Sequence, residues 1–182
     1  VPKSLDNSTT RAYRQDLMDA CQWLNDIKVP RPGRGRRYSA AYKRKDTQES
    51  LKSIYKNKCG YCEQRVEQFH VDHWRPKHIY YWLAYSWDNL ILACPKCNEA
   101  KTDHFDIEGP RITSHPEHFE DIHSSCSKMN EEEKPKFIHP ELETEDPKEQ
   151  IRFDQKGSIS SDNPRIDYTI SKCNLNRDYL SG

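Results

Sequence analysis

Long apolar runs are missing from these 182 residues, and hydrophobic side chains are scarce, at 34% of the chain. Globular domains usually reach about 45–50% on a scale that also counts glycine. No stretch approaches the roughly 20 apolar residues of a membrane span. No charged start followed by an apolar segment reads as a signal peptide either. The chain opens on Val1 rather than Met, which predicts that Val1 is not the natural start. These absences exclude a membrane protein, predict a cytoplasmic one, and argue against one large, well-filled core. Net charge is absent too, with 29 basic residues against 29 acidic ones. Neutrality argues against a polyanionic partner only if the two signs are mixed, and here they are segregated. Residues 28–58 hold eleven Lys and Arg against Asp46 and Glu49, a net +9. Residues 103–150 hold fourteen Asp and Glu against five basic residues, a net −9. Such asymmetry predicts a basic face for a polyanion and an acidic region for a different partner. Two solvated surfaces of opposite sign are the plainer alternative.

Apolar periodicity predicts an amphipathic helix over 8–28, with Tyr13, Leu17, Cys21, Leu24 and Ile27 on one stripe and Ser8, Thr9 or Thr10 as N-cap. Pro30 and Pro32 stop it, and 30–37 form a Pro/Gly/Arg loop. A second helix is predicted from Asp46 to Lys58, with Asp46 and Glu49 as a capping box and Leu51, Ile54 and Tyr55 on one face. Residues 59–109 hold three of the four tryptophans. Beyond Gly109 the chain turns polar and acidic and reads as loops with short helices. A hairpin is expected over 151–160, turning near Gln155-Lys156-Gly157, and a closing helix over 169–179. The expected segments are therefore 1–58, helical and basic; 59–109, the chemical core; and 110–182, an acidic extension suited to partner docking.

Four of the seven cysteines form two CxxC pairs, Cys59/Cys62 and Cys94/Cys97. A CxxC turn puts two sulfurs on one side of a tight loop, and two such turns supply the four thiolates of a tetrahedral structural zinc. Disulfides or a redox pair fit less well: a reducing cytosol disfavours the first, and the second needs no duplicate. The 31 residues between Cys62 and Cys94 require a structured insert. Cys21, Cys126 and Cys173 have no partner pattern and read as ordinary thiols.

That insert contains Val71-Asp72-His73-Trp74-Arg75-Pro76 and Trp87-Asp88-Asn89-Leu90, and Asn98-Glu99-Ala100-Lys101 follow the last cysteine. CxxC, an Asp-His pair, an Asn before an apolar strand and CxxCN with Lys three residues on resemble the HNH (ββα-metal) endonucleases. The resemblance implies an α+β fold: a ββα-metal core with a four-cysteine zinc site, flanked by N-terminal helices and a loop-rich C-terminal extension. It implies hydrolysis of nucleic-acid phosphodiesters, with His73 as general base, whose unperturbed pKa near 6.5 suits that task. Asp72 and Asn98 become ligands of a catalytic divalent cation, Mg2+ or Mn2+, and Asn89 the middle residue that pins the loop and orients the base. Lys101 and Arg75 become contacts to the substrate phosphate, with His104 a weaker candidate one turn further along the same helix. Neighbours on a strand point to opposite sides, so a twist or bulge is expected to let Asp72 and His73 serve one site. The remaining histidines read as surface residues or local hydrogen-bonders. The aromatics Tyr80, Tyr81, Trp82, Tyr85 and Trp87 can stack bases, though packing the insert against a neighbouring helix is their simpler use.

Flanking motifs narrow the resemblance. Cys59-Gly-Tyr-Cys-Glu63, Asp72 to Lys77, Ala84 to Leu90, Phe153 to Ile159, and Thr169-Ile170 with Leu175-Asn-Arg177 are similar to the nuclease subunit of Septu-type anti-phage systems, also found attached to some retrons. This implies an ABC/SMC-like ATPase partner, in some systems a retron reverse transcriptase and its DNA, and DNA or a structured RNA such as tRNA as substrate. A free-standing restriction-type or homing-type endonuclease and a non-catalytic zinc module that binds nucleic acid are the alternatives.

Overall fold

Helix α1, Ser8–Asp26, begins where the sequence offers a side-chain acceptor: Asn7 Oδ1 takes the Thr10 backbone N–H at 3.0 Å. The N-cap is therefore Asn7, one residue before the expected candidates. The structure, a computed structural model, describes residues 1–26, 40–113, 118–143 and 146–178. The basic loop 30–37, the Cys21 side chain, His115 and the last residues of the expected closing helix lie outside that description. Among the described side chains of α1 the buried positions are Thr10, Arg14 and Leu17, while Tyr13 faces outward; the side chains of the expected stripe positions Leu24 and Ile27 lie outside the description. The stripe is displaced because Arg14 goes inward, its Nε donating to the Trp82 carbonyl at 3.4 Å.

Helix α2 spans Lys45–Ile54, shorter than expected, because Lys56 and Asn57 adopt positive φ (51° and 58°) and turn the chain toward Cys59. Its N-cap is Arg44, and the Asp46/Glu49 capping box does not form. Asp46 instead accepts the Ser4 backbone N–H at 2.8 Å, tying the N-terminal segment to this helix. Leu51 is buried. Tyr55 leans on Gly60, where an added Cβ would lie 2.7 Å from Tyr55 Cε1 and 2.8 Å from Ile91 Cγ2. Only glycine fits there, and its N–H donates to the Leu92 carbonyl at 2.7 Å.

The central unit is strand, strand, helix. β1, His70–His73, pairs antiparallel with β2, Leu90–Ala93, in a regular register from His70↔Ala93 to His73↔Leu90. All four residues of β2 are buried. After Ala93 the chain passes through Cys94 straight into α3, Pro95–Lys101, with Pro95 at the first helical position. The loop from 74 to 89 folds into two 3-10 turns, and Tyr80, Tyr81, Trp82 and Tyr85 are all buried. These rings pack the insert; no stacking platform for bases is exposed among those four.

Beyond 110 lie a 3-10 turn at Phe119–Ser124, helix α4 (Ser125–Glu133), a short hairpin of β3 (Arg152–Phe153) and β4 (Ile159–Ser160), and α5 (Pro164–Lys172). Helix α5 starts five residues before the expected position, since Asn163 caps the Arg165 N–H at 3.0 Å and Pro164 opens the first turn. One apolar cluster draws Leu5, Leu17 and Leu51, then Trp74, Trp82 and Ile91, then Ile122, Met129 and Phe137, from all three sequence segments. No helix among the described residues is long and apolar enough to cross a membrane.

Candidate nuclease and metal centre

The two CxxC turns meet at one end of the ββα unit. The Sγ atoms of Cys59, Cys62, Cys94 and Cys97 all lie within 4.8 Å of one another, with Cys62 and Cys94 3.9 Å apart. A tetrahedral ion with metal–sulfur bonds of about 2.3 Å needs sulfur–sulfur edges of about 3.8 Å, so the four residues fit zinc. Backbone N–H groups already point at the sulfurs: Cys94 N donates to Cys59 Sγ at 3.2 Å and Cys97 N to Cys94 Sγ at 3.4 Å. Arg177 adds positive charge, its guanidinium lying 3.5 Å from Cys97 Sγ and 3.8 Å from Cys94 Sγ. Hydrogen bonds shared among the four sulfurs push the Cys62 and Cys94 thiols down and the Cys59 and Cys97 thiols up.

Strand alternation puts His70 and Asp72 on the side of β1 that faces α3, where Asn98 and Lys101 share a helix face. His70 Nδ1 lies 2.9 Å from Asn98 Nδ2, and Lys101 Nζ lies 3.2 Å from Asp72 Oδ2. Tyr61, inside the first CxxC, donates its hydroxyl to Asp72 Oδ2 at 2.7 Å. Among the described residues, neither Asp72 Oδ1 nor Asn98 Oδ1 has a hydrogen-bond partner. Two oxygen donors with free lone pairs on facing elements fit a hard divalent cation.

His73 projects from the other side of β1. Its Nε2 is 2.9 Å from the Ala84 carbonyl, which makes Nε2 the protonated nitrogen and leaves the Nδ1 lone pair free. The ring packs edge-on against Tyr42, with centroids 4.6 Å apart. Burial, and then the charge of Lys77, push the imidazole down to about 3, so it is neutral throughout the neutral pH range. Asn89 fixes this arrangement from behind. It is wholly buried, accepts the Arg75 N–H at 2.7 Å, and donates to the carbonyls of Arg75 (3.1 Å) and Leu83 (3.3 Å). The loop whose Ala84 carbonyl orients His73 is thus held at its neighbour, Leu83. Of the twist or bulge expected to let Asp72 and His73 serve one site, the regular register shows no bulge, and the two residues are linked through Lys101, which meets Asp72 Oδ2 and the His73 carbonyl.

Two sequence expectations need correction. Lys101 and Arg75 were expected on the substrate phosphate, but both are fully buried with their charges matched inside the protein. Lys101 donates to the His73 carbonyl at 2.9 Å as well as facing Asp72. Arg75 meets Glu133 through Nε at 3.1 Å and Nη2 at 3.0 Å and donates to Asn130 Oδ1 at 2.9 Å. His104 is exposed in the turn after α3, which ends at Lys101 because Thr102 takes φ 45°. Sequence reasoning also missed three residues. Tyr61 carries no motif signal beyond its place in a CxxC turn, and Glu133 sits in a Glu-Glu-Glu run that reads as solvated. Lys77, half-buried, acts by its charge on His73 and Asp72, and only its place at the end of the Asp72-to-Lys77 run pointed to it.

Comparison with known proteins bears on the same residues. Residues 59–104 match the HNH endonuclease family. The chain is similar to the Septu protein PtuB of Bacillus mycoides (strain KBAB4), 36% identical over 85 residues that cover 37% of this chain and 29% of that protein. It is similar to the Septu protein PtuB of Bacillus thuringiensis, 36% identical over 67 residues covering 35% and 26%. The Septu protein PtuA of Bacillus mycoides (strain KBAB4) is 25% identical over 145 residues, covering 71% of this chain and 19% of PtuA. The chain therefore spans less than a third of the length of the curated relatives it matches. No solved structure gives a significant match. Residues 59–104, which hold the ββα unit and its four-cysteine cluster, thus match the HNH endonuclease family, within a chain that is similar to Septu proteins.

Proposed function

We propose that this chain is a metal-dependent endonuclease that hydrolyses nucleic-acid phosphodiester bonds, the cytoplasmic effector nuclease of a Septu-type anti-phage complex with an ABC/SMC-like ATPase partner. The observation that carries the catalytic part is His73: neutral, fixed through Nε2 by Ala84, with Nδ1 unengaged. A water on the scissile phosphate loses its proton to Nδ1, and the imidazolium is steadied by the Ala84 carbonyl. A negatively charged phosphate beside the ring also raises its basicity, countering the effect of Lys77. Asn89 positions the loop and so the base. Asp72 and Asn98 would hold the divalent cation, Mg2+ or Mn2+, through oxygen, with Tyr61 and Lys101 orienting the Asp72 carboxylate. When bound, the cation supplies charge stabilisation at the phosphoryl and leaving oxygens. Lys77 is the side chain we assign to the phosphate in place of Lys101 and Arg75. Zinc on the four cysteines is structural. Residues 1–58 give the basic approach, 59–109 the catalytic core and 110–182 the partner surface.

The test is cleavage of duplex DNA, single strands and total tRNA by zinc-loaded protein in Mg2+ or Mn2+, with and without the ATPase encoded beside it. His73→Ala is expected to lower the rate by about 10²–10⁴-fold while circular dichroism and zinc content stay unchanged. Undiminished cutting by that variant overturns the mechanism.

A further inference from the structure

We infer that His70 is a third protein ligand of the divalent cation placed above on Asp72 and Asn98, giving that site a nitrogen donor; the inference rests on that reading of the site. His70 is exposed at the start of β1, on the same strand side as Asp72. Residues two apart on a strand are about 6.8 Å apart along it, a span that one cation bridges when both side chains lean together. The lean is set by α3: His70 meets Asn98, and Asp72 meets Lys101 one helical turn on. The 2.9 Å between His70 Nδ1 and the Asn98 amide is a hydrogen-bond distance. It is also close to the edge of about 3.0 Å separating adjacent ligands of an octahedral ion with bonds near 2.1 Å. Turning the Asn98 amide over exchanges Nδ2 for Oδ1 at the same position. Two lone pairs then face each other at that distance, an arrangement that a cation between them satisfies.

A nitrogen donor changes which ion the site prefers. Mg2+ favours oxygen ligands, whereas imidazole suits transition metals, so the site should take Mn2+ more tightly than Mg2+. The experiment titrates Mn2+ into zinc-loaded full chain, follows free ion by electron paramagnetic resonance, and looks for ¹⁴N coupling to bound Mn2+ by pulsed methods. Wild-type protein is expected to show the coupling. His70→Ala and His70→Gln are expected to lose it and to bind Mn2+ about tenfold more weakly, while the control His104→Ala retains both. Coupling that survives in both His70 variants, or Mn2+ binding that needs Asp72 but shows no nitrogen coupling, overturns the role of His70 and leaves the nuclease reading intact. Mn2+ binding unaffected by Asp72→Asn overturns the metal site itself.

Discussion

Asn89 has no contact with the reaction on this reading, yet the hydrogen bonds of its side chain to Arg75 and Leu83 help to decide where the Ala84 carbonyl sits and therefore which nitrogen of His73 carries a proton. Asp72, His73, Asn89 and Asn98 stand out in the sequence because the motif they resemble comes with fixed spacing, and the roles given to them are proposals. Arg75 and Lys101 were misread because sequence carries no direct sign of burial, and a buried cation with a partner looks like any other until its partner is known. His139 teaches the same lesson. It is 1% exposed, its Nε2 meets the Asp88 carbonyl at 3.0 Å, and burial pushes it down to about 4 from an ordinary 6.5. Between pH 6.5 and 4 the unfolded chain binds a proton at this position that the folded chain refuses. Its contribution to stability is therefore complete above pH 6.5 and is lost as pH falls toward 4. His139→Gln should make the decline in denaturation midpoint across that window shallower, measured by urea titration at half-unit pH steps. An unchanged slope rules out His139 as its source.

The elements are set by a few local signals and by two long-range clamps. The starts of α3 and α5 carry local signals, Cys94-Pro95 and Asn163-Pro164, although the closing helix expected over 169–179 was set too far along. The failed capping box at α2 has a tertiary cause, since Ser4 takes the Asp46 carboxylate. Arg75, just past β1, is locked to Glu133 at the end of α4, with Tyr80 also donating to Glu133 at 2.9 Å. Removing one member of a buried pair strands the other, at a cost of about 3–5 kcal/mol. Glu133→Gln should lower unfolding free energy by that amount, whereas its exposed neighbour Glu131→Gln should change it by less than about 0.5 kcal/mol. Equal effects would show that the run behaves as one solvated face. At the other clamp, Cys94→Ser breaks the four-sulfur set. It should reduce bound zinc, measured by atomic absorption, and remove the cooperative thermal transition, because metal binding and folding are one equilibrium in such a site.

At the scale of the molecule, scarce hydrophobics and segregated charge find different answers. The core is assembled from all three sequence segments, and the four cysteines bridge β1–β2, α3 and the approach from α2. The acidic half is not all surface: Glu133 is wholly buried, and Glu143 accepts both Arg165 Nη groups at 2.8 Å. No sequence rule separates those carboxylates from their solvated neighbours. The basic segment, whose residues 27–39 lie outside the described structure, is proposed to approach a polyanion. Replacing Arg31, Arg34, Arg36 and Arg37 with serine should weaken duplex binding and flatten its salt dependence, by up to about 0.9 in log–log slope for each phosphate no longer neutralised. Fluorescence anisotropy from 50 to 200 mM salt gives that slope, and an unaltered value would remove the segment from the interface.

The Arg177 contact to Cys94 and Cys97 also fixes an order of events in time. All four thiols exist once residue 97 has been made, but the guanidinium that balances their charge follows 80 residues later. At about 5–20 residues per second, that interval is about 4–16 s. During synthesis the four thiols are complete before their counter-charge, so an ion that binds within that interval meets the cysteines without Arg177.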